Sequence, residues 1–280
     1  MSVFIANKQA FGTYKLRHQD CEDAVLFAIK TGYRVIDTGV VYKNHVQVGK
    51  AIQKAIEQKI CTRKEIFITT KVLNQDQKYG RESIIKSISK SLKDLQLDKI
   101  DLILLHSYME DKWEEAWSTL EELKDMSICC HIGISNYYGS QVECLMRSPI
   151  RKTIPFINQI EISPYHMPRK TINICQDLGI IVQGHTPLIK SEKMFDPLLV
   201  QLSCNEKISV ARLLLAWCIS KNFYFAVRSQ NENHIKENWD TSVVPPQLSK
   251  VTVDALDNIK EMYVTHPTLI KLDKMEHCAL

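Results

Sequence analysis

Four side chains able to move or hold protons fall where short apolar runs end. Asp37 closes YRVIDT (33–38), and Tyr42 follows five residues later. Lys71 lies near the end of EIFITTKV (65–72), and His106 ends DLILLH (101–106). Taken singly, each has a plainer explanation. An aspartate at a strand end is more often a cap or turn residue. A lysine there is more often a solvated rim charge, a histidine a hydrogen-bonded core residue, and a tyrosine packing. The plainer explanations lose force only if all four meet.

If they do meet, the chemistry is specific. Burying an unpaired charge is costly, so Asp37 and Lys71 are expected to pair. Lys71 beside Tyr42 would favour the phenolate and lower a pKa that is ordinarily about 10. Tyr42 would then serve as a proton donor near neutral pH. His106 would hydrogen-bond the same substrate oxygen and orient it. An acid aimed at an oxygen suits carbonyl reduction. No side chain supplies a hydride, so a cofactor must.

The elements that would bring these residues together are legible as an alternation. Eight short runs rich in Ile, Leu and Val recur: FGTY (11–14), YRVIDT, EIFITTKV, DLILLH, HIGISN (131–136), FINQIEI (156–162), IIVQGH (180–185) and FYFAVRS (223–229). They read as strands buried on both faces. Amphipathic helical patterns lie between them, as in ESIIKSISKSLKDLQL. Eight such units in one undivided chain predict a (β/α)8 TIM barrel, residues 1–280 forming a single domain. A doubly wound sheet would carry a glycine-rich phosphate turn after its first strand, and no such motif occurs. In a barrel of this kind the site forms at the C-terminal ends of the strands. There stand Asp37, Lys71, His106, Ser135, Asn136, Gln159, His185, Arg228 and Ser229.

Composition excludes several other classes. The chain has 280 residues, and 36 Lys+Arg against 32 Asp+Glu leave a net charge of +4, spread along its length. That balance gives no basic footprint for nucleic acid. The nine cysteines form no C-x-x-C pair, so neither zinc nor a full disulfide framework is expected. Thiols fit a cytoplasmic protein. No secretory signal, membrane span or prenylation motif is read. A monomer acting on a small molecule is expected, with no nucleic-acid or membrane partner and no metal.

The motifs together resemble the aldo-keto reductase family. GYRVIDTGVVYKN is similar to the family segment carrying a catalytic aspartate and tyrosine. FITTKV and LILLHS are similar to those carrying its lysine and histidine. The resemblance implies a tetrad of Asp37, Tyr42, Lys71 and His106. It also implies NADPH, or less often NADH, as cofactor. Ser135, Asn136 and Gln159 would hold the nicotinamide carboxamide, and His185 would stack on the ring. Gly12, Thr13, Leu188, Arg228, Ser229, Asn231, His234, Glu237 and Asn238 would line the rest of the cofactor groove. The likeness runs from about Gly12 to Asn238, with a weaker trace beyond. The family hairpin that plugs the barrel bottom is expected to be truncated.

Departures from the family pattern set further expectations. His45 replaces a glutamate in Tyr-x-Asn-Glu. His185 replaces an aromatic, usually tyrosine, so its smaller face should bind cofactor more weakly. Arg228 replaces a lysine and can grip a 2′-phosphate bidentately. His234 replaces an arginine and is mostly neutral at pH 7. Leu73, Ser107, Tyr108 and Tyr14 stand at the substrate pocket where larger indoles are common. An active reductase of aldehydes or ketones is expected. The alternative is a catalytically weak nucleotide-binding barrel acting as sensor, scaffold or subunit.

Overall fold

A computed structural model of the protein describes residues 3–266. Eight parallel strands close into one barrel in chain order. They are β1 (Gln9–Gly12), β2 (Val35–Asp37), β3 (Phe67–Val72), β4 (Ile100–Leu105), β5 (Cys129–Ser135), β6 (Ile157–Glu161), β7 (Ile181–His185) and β8 (Tyr224–Val227). The expected (β/α)8 barrel is the fold. One boundary needs correction. The run FGTY predicts the first strand at 11–14, whereas it spans Gln9–Gly12. Thr13 already belongs to the loop, where its N–H and hydroxyl both donate to the Asp37 carbonyl at 3.0 and 3.1 Å.

Twelve helices accompany the strands among the described residues. A short α1 (Val3–Ala6) precedes the barrel, and α2 (His18–Thr31) and α3 (His45–Glu57) follow the first two strands. Next come α4 (Asn74–Tyr79), α5 (Arg81–Leu95), α6 (Trp113–Asp125), α7 (Gly139–Arg147) and α8 (Arg169–Asp177). The last four are α9 (Pro197–Glu206), α10 (Val210–Ser220), α11 (Glu232–Val243) and α12 (Lys250–Asp257). The apolar face read in the sequence over 82–97 is the buried one of α5, through Ile84, Ile88 and Leu95.

Strand periodicity then sorts the side chains. Successive residues alternate between the barrel interior and the helix layer. Along β3, Ile68 packs toward the helices and Phe67 into the interior. The interior series Phe67, Thr69, Lys71 therefore runs from apolar at the bottom to charged at the top. The same step gives Leu102, Leu104, His106 and Ile157, Gln159, Glu161. The lower interior is packed by Val35, Phe67, Leu102, Leu104, Ile157 and Ala226 around Phe4. Phe4 comes from α1 and is fully buried, 5.0–5.4 Å from the rings of Phe67, Phe156 and Tyr224. This aromatic closes the bottom with one short helix. Gly133 is required higher up, because a Cβ there would lie 2.7 Å from the Ile157 carbonyl and 2.8 Å from Leu104. The polar residues are thus confined to the upper mouth.

Candidate active site

The residues singled out at the strand ends converge. Lys71 Nζ lies 2.5 Å from Asp37 Oδ1, 3.1 Å from the Thr38 carbonyl and 3.2 Å from the Tyr42 hydroxyl oxygen. Asp37 and Lys71 are 4 % and 1 % exposed, which makes this a buried ion pair rather than a rim contact. A 3-10 turn, Val40–Tyr42, carries Tyr42 back over the strand ends, and Lys43 reverses the chain with φ +56°. Gly39 lies beneath this approach, where a Cβ would make only ordinary contact, 3.4 Å from Lys71 and 3.5 Å from the Tyr42 ring. The rings of Tyr14 and His106 flank Tyr42 at 5.1 and 6.1 Å.

Electrostatics departs from the sequence expectation at one point. Burial raises the Tyr42 pKa more than Lys71 lowers it, so the expected lowering is corrected to a rise. The reason is that Asp37 largely spends the lysine's charge, and the phenol loses water on packing. Lys71 itself remains a cation. Burial works against its charge, but Asp37 and Tyr42 outweigh that and raise its pKa. His106 is held down to about 3 by burial, Lys71 and His266, and is neutral.

Two neighbours escaped the sequence reading. Gln159 Nε2 donates to Asp37 Oδ2 at 2.8 Å and to Gln183 Oε1 at 2.6 Å. Both partners accept, so the Gln159 amide is oriented with its oxygen left to accept from elsewhere. Gln183 is buried inside the run IIVQGH, where it read as part of an apolar strand. Asn44 donates to the Thr13 and Leu16 carbonyls at 2.8 and 3.1 Å and accepts from Thr38 at 3.1 Å. It ties together the loops after β1 and β2. His45 faces away from the mouth, its Nε2 3.1 Å from Thr70 Oγ1, and burial lowers its pKa to about 4.

Across the mouth, Ser135 donates to the Gln159 carbonyl at 2.8 Å. Asn136 Nδ2 donates to the His106 carbonyl at 3.0 Å and to Ser135 Oγ at 3.2 Å. The other residues expected to line a cofactor groove lie at or after the ends of β1, β7 and β8 and in the first turns of α11. Arg228 is exposed, with its Nε donating to the Tyr14 carbonyl at 3.0 Å. Asn231 caps α11 by accepting from the His234 N–H at 3.2 Å, and Ser229 Oγ accepts from the Asn231 N–H at 3.0 Å. His234 is exposed, Asn238 is buried, and Glu237 accepts from Ser209 at 2.7 Å. Leu188 is half-buried after β7. Among the residues expected at a substrate pocket, Ser107 accepts from Asn74 at 2.6 Å and Leu73 is half-buried. The Tyr108 ring packs on Tyr137 at 5.2 Å and Trp113 at 6.4 Å.

The chain after α12 returns to this mouth. Thr265 donates from its N–H and hydroxyl to the two oxygens of buried Glu161, at 2.8 and 3.0 Å. This contact fixes the start of the C-terminal segment; 267–280 lie outside the described residues. Among the described residues no group of His, Cys, Asp and Glu could hold a metal, and no helix is long and apolar enough to cross a membrane.

A family model for the aldo/keto reductase family matches residues 9–261. The chain belongs to the aldo/keto reductase family. Within it, the chain is 35 % identical over 239 residues to the uncharacterized oxidoreductase YtbE of Bacillus subtilis, covering 85 % of this chain and 83 % of that one. It is 33 % identical to the glyoxal reductase of Bacillus subtilis, with 89 % and 87 % covered. The structure of the Bombyx mori aldo-keto reductase AKR2E4, in complex with NADP, superposes with a TM-score of 0.81 at 29 % identity, over 92 % of this chain and 90 % of that one. The protein is thus an NAD(P)H-dependent oxidoreductase with an aldo/keto reductase barrel. Its residues suit such a cofactor at both ends. Gln159 presents an amide oxygen at the mouth, and Arg228 an exposed guanidinium beside the N-terminus of α11.

Proposed function

We propose that the protein reduces aldehydes or ketones to alcohols with NADPH, using Tyr42 as proton donor. The observation that carries this reading is Lys71 Nζ bonded at once to Asp37 and to the Tyr42 oxygen. Because Lys71 donates to that oxygen, the phenolic hydrogen is free to point into the mouth. NADPH, when bound, supplies the hydride. Tyr42 gives its proton to the substrate oxygen as negative charge develops there, and Lys71 stabilises the phenolate left behind. Neutral His106 is placed to orient the same oxygen. Ser135, Asn136 and Gln159 face the carboxamide, while Arg228, with Ser229 and Asn231, faces the adenosine phosphate.

Absorbance of NADPH, followed with a panel of nitrobenzaldehydes and dicarbonyls, tests the reading. Turnover supports it. Tight NADPH binding without turnover across the panel would instead favour a sensor or scaffold. Arg228→Ala is expected to weaken NADPH binding about tenfold or more, the loss of a charged hydrogen bond, and to leave NADH nearly unchanged. Fluorescence titration of both cofactors checks this, and equal loss for both would refute the phosphate role. The pH profile carries a sign. Burial, then Lys71 and His266, hold His106 neutral down to about 3. So kcat/KM for reduction should show no histidine arm on the acid side between about pH 5 and 8. An inflection near the ordinary histidine value of 6.5 would contradict it.

A further inference from the structure

His185 ends β7 in the position where the resemblance implies a ring stacked on the nicotinamide. Both nitrogens at its edge are engaged by hydrogen bonds. Nε2 lies 2.9 Å from Asn136 Oδ1, and Nδ1 lies 2.9 Å from Thr186 Oγ1. The tautomer follows from the partners. The His106 carbonyl can only accept, so the Asn136 amide must turn its Nδ2 there and its Oδ1 toward His185. Nε2 therefore carries the hydrogen, and Nδ1 accepts from the Thr186 hydroxyl. Burial, then Lys71, keeps the ring neutral, with its pKa held to about 3.

The bond spans β6, because β5 and β7 are not neighbours in the barrel. The ring also joins two residues of positive φ. Asn136 and Thr186 have φ of +54° and +58°, in the left-handed region that non-glycine residues seldom adopt. Both Asn136 N–H groups are already spent on His106 and Ser135, and the Ser135 hydroxyl on Gln159. What remains at the mouth is acceptor capacity: the second lone pair of Asn136 Oδ1 and Gln159 Oε1. Those match the NH2 of a carboxamide.

We propose that His185 is a positioning residue: its Nε2–H pins the Asn136 amide, and through it the His106 main chain, in the orientation that receives the carboxamide NH2. This rests on the reading of the site as a nicotinamide one. The role differs from stacking in what each substitution should do. His185→Phe keeps a flat ring and loses the donor, whereas His185→Gln keeps a donor and loses the ring.

The experiment has two arms. Nitrogen-15 NMR of the cofactor-free protein should show His185 as the neutral Nε2–H tautomer, with that proton shielded from exchange, and Asn136→Ala should abolish the shielding. Fluorescence titration should show NADPH bound about tenfold more weakly by His185→Phe and within about threefold of wild type by His185→Gln, the scale of one hydrogen bond and its unsatisfied partner. An Nδ1–H tautomer, or phenylalanine and tyrosine variants that bind NADPH as tightly as wild type or tighter, would overturn the proposal. If wild-type protein bound no NADPH, the nicotinamide reading would fail and this role with it; the NMR arm would still decide whether the His185–Asn136 bond exists.

Discussion

Replacing Tyr42 with phenylalanine is expected to reduce turnover of carbonyl substrates by about 10²–10⁴-fold, with NADPH affinity little changed. The expectation follows from what else at the mouth could give up a proton. His106 is neutral, its pKa being held to about 3, so it has no spare proton that it would release readily. Lys71 is a cation, but Asp37 and Tyr42 raise its pKa and hold its hydrogens. Of these three groups, the Tyr42 hydroxyl is the one that combines a proton with a free direction. Its raised pKa keeps it protonated across neutral pH, so reduction does not lose its acid there. Alcohol oxidation, which needs the phenolate to accept a proton, should rise with pH instead. Steady-state kinetics and cofactor titration on the purified variant check the result. Turnover within a few-fold of wild type would show that another group, or water, is the donor. Lys71→Met is a poorer probe, because leaving Asp37 as a buried unpaired charge costs about 3–5 kcal/mol and confounds activity with unfolding.

The four expected residues were legible in the sequence because Asp37, Lys71 and His106 fall at strand ends with Tyr42 just beyond one of them, and strand ends in a parallel barrel face one mouth. Period-two alternation then sufficed to place Lys71 inward with Phe67. What escaped was whatever depended on distance across the barrel. Gln183 sits in an apolar run, and only the fold shows its amide against Gln159. The Glu161–Thr265 contact joins residues 104 apart in sequence, with no pattern to announce it. Phe4 looked like part of a truncated N-terminus, yet three aromatic rings surround it. The direction of the Tyr42 shift was misread for a related reason. Neighbouring charges can be read from a motif, but desolvation depends on everything packed above it. His185 shows the same limit: its type was visible, but its partnership with Asn136, just after β5, was not.

Buried neutral histidines make a second large effect, on stability. His45, His106 and His185 have pKa values lowered to about 4, 3 and 3, mainly by burial. An unfolded histidine titrates near 6.5, so below that pH the unfolded chain takes up protons that the folded one refuses. Stability contributed by these residues is complete above about pH 6.5 and is lost as the pH falls toward the folded values. Between pH 7 and 5 each loses about 2 kcal/mol, or about 6 kcal/mol together. A domain commonly has only about 5–15 kcal/mol to lose. Glu161 opposes them, since burial raises its pKa and protonation then favours the folded state. One carboxyl against three histidines leaves the sign unchanged. Denaturant unfolding at the two pH values should therefore show the protein close to its stability limit at pH 5. His45→Gln, which keeps a hydrogen-bonding group toward Thr70 and leaves the mouth untouched, should recover about a third of the loss. A stability independent of pH over this range would mean that the three rings are solvated or already charged in the folded protein, and the neutral donor assigned to His185 would go with them.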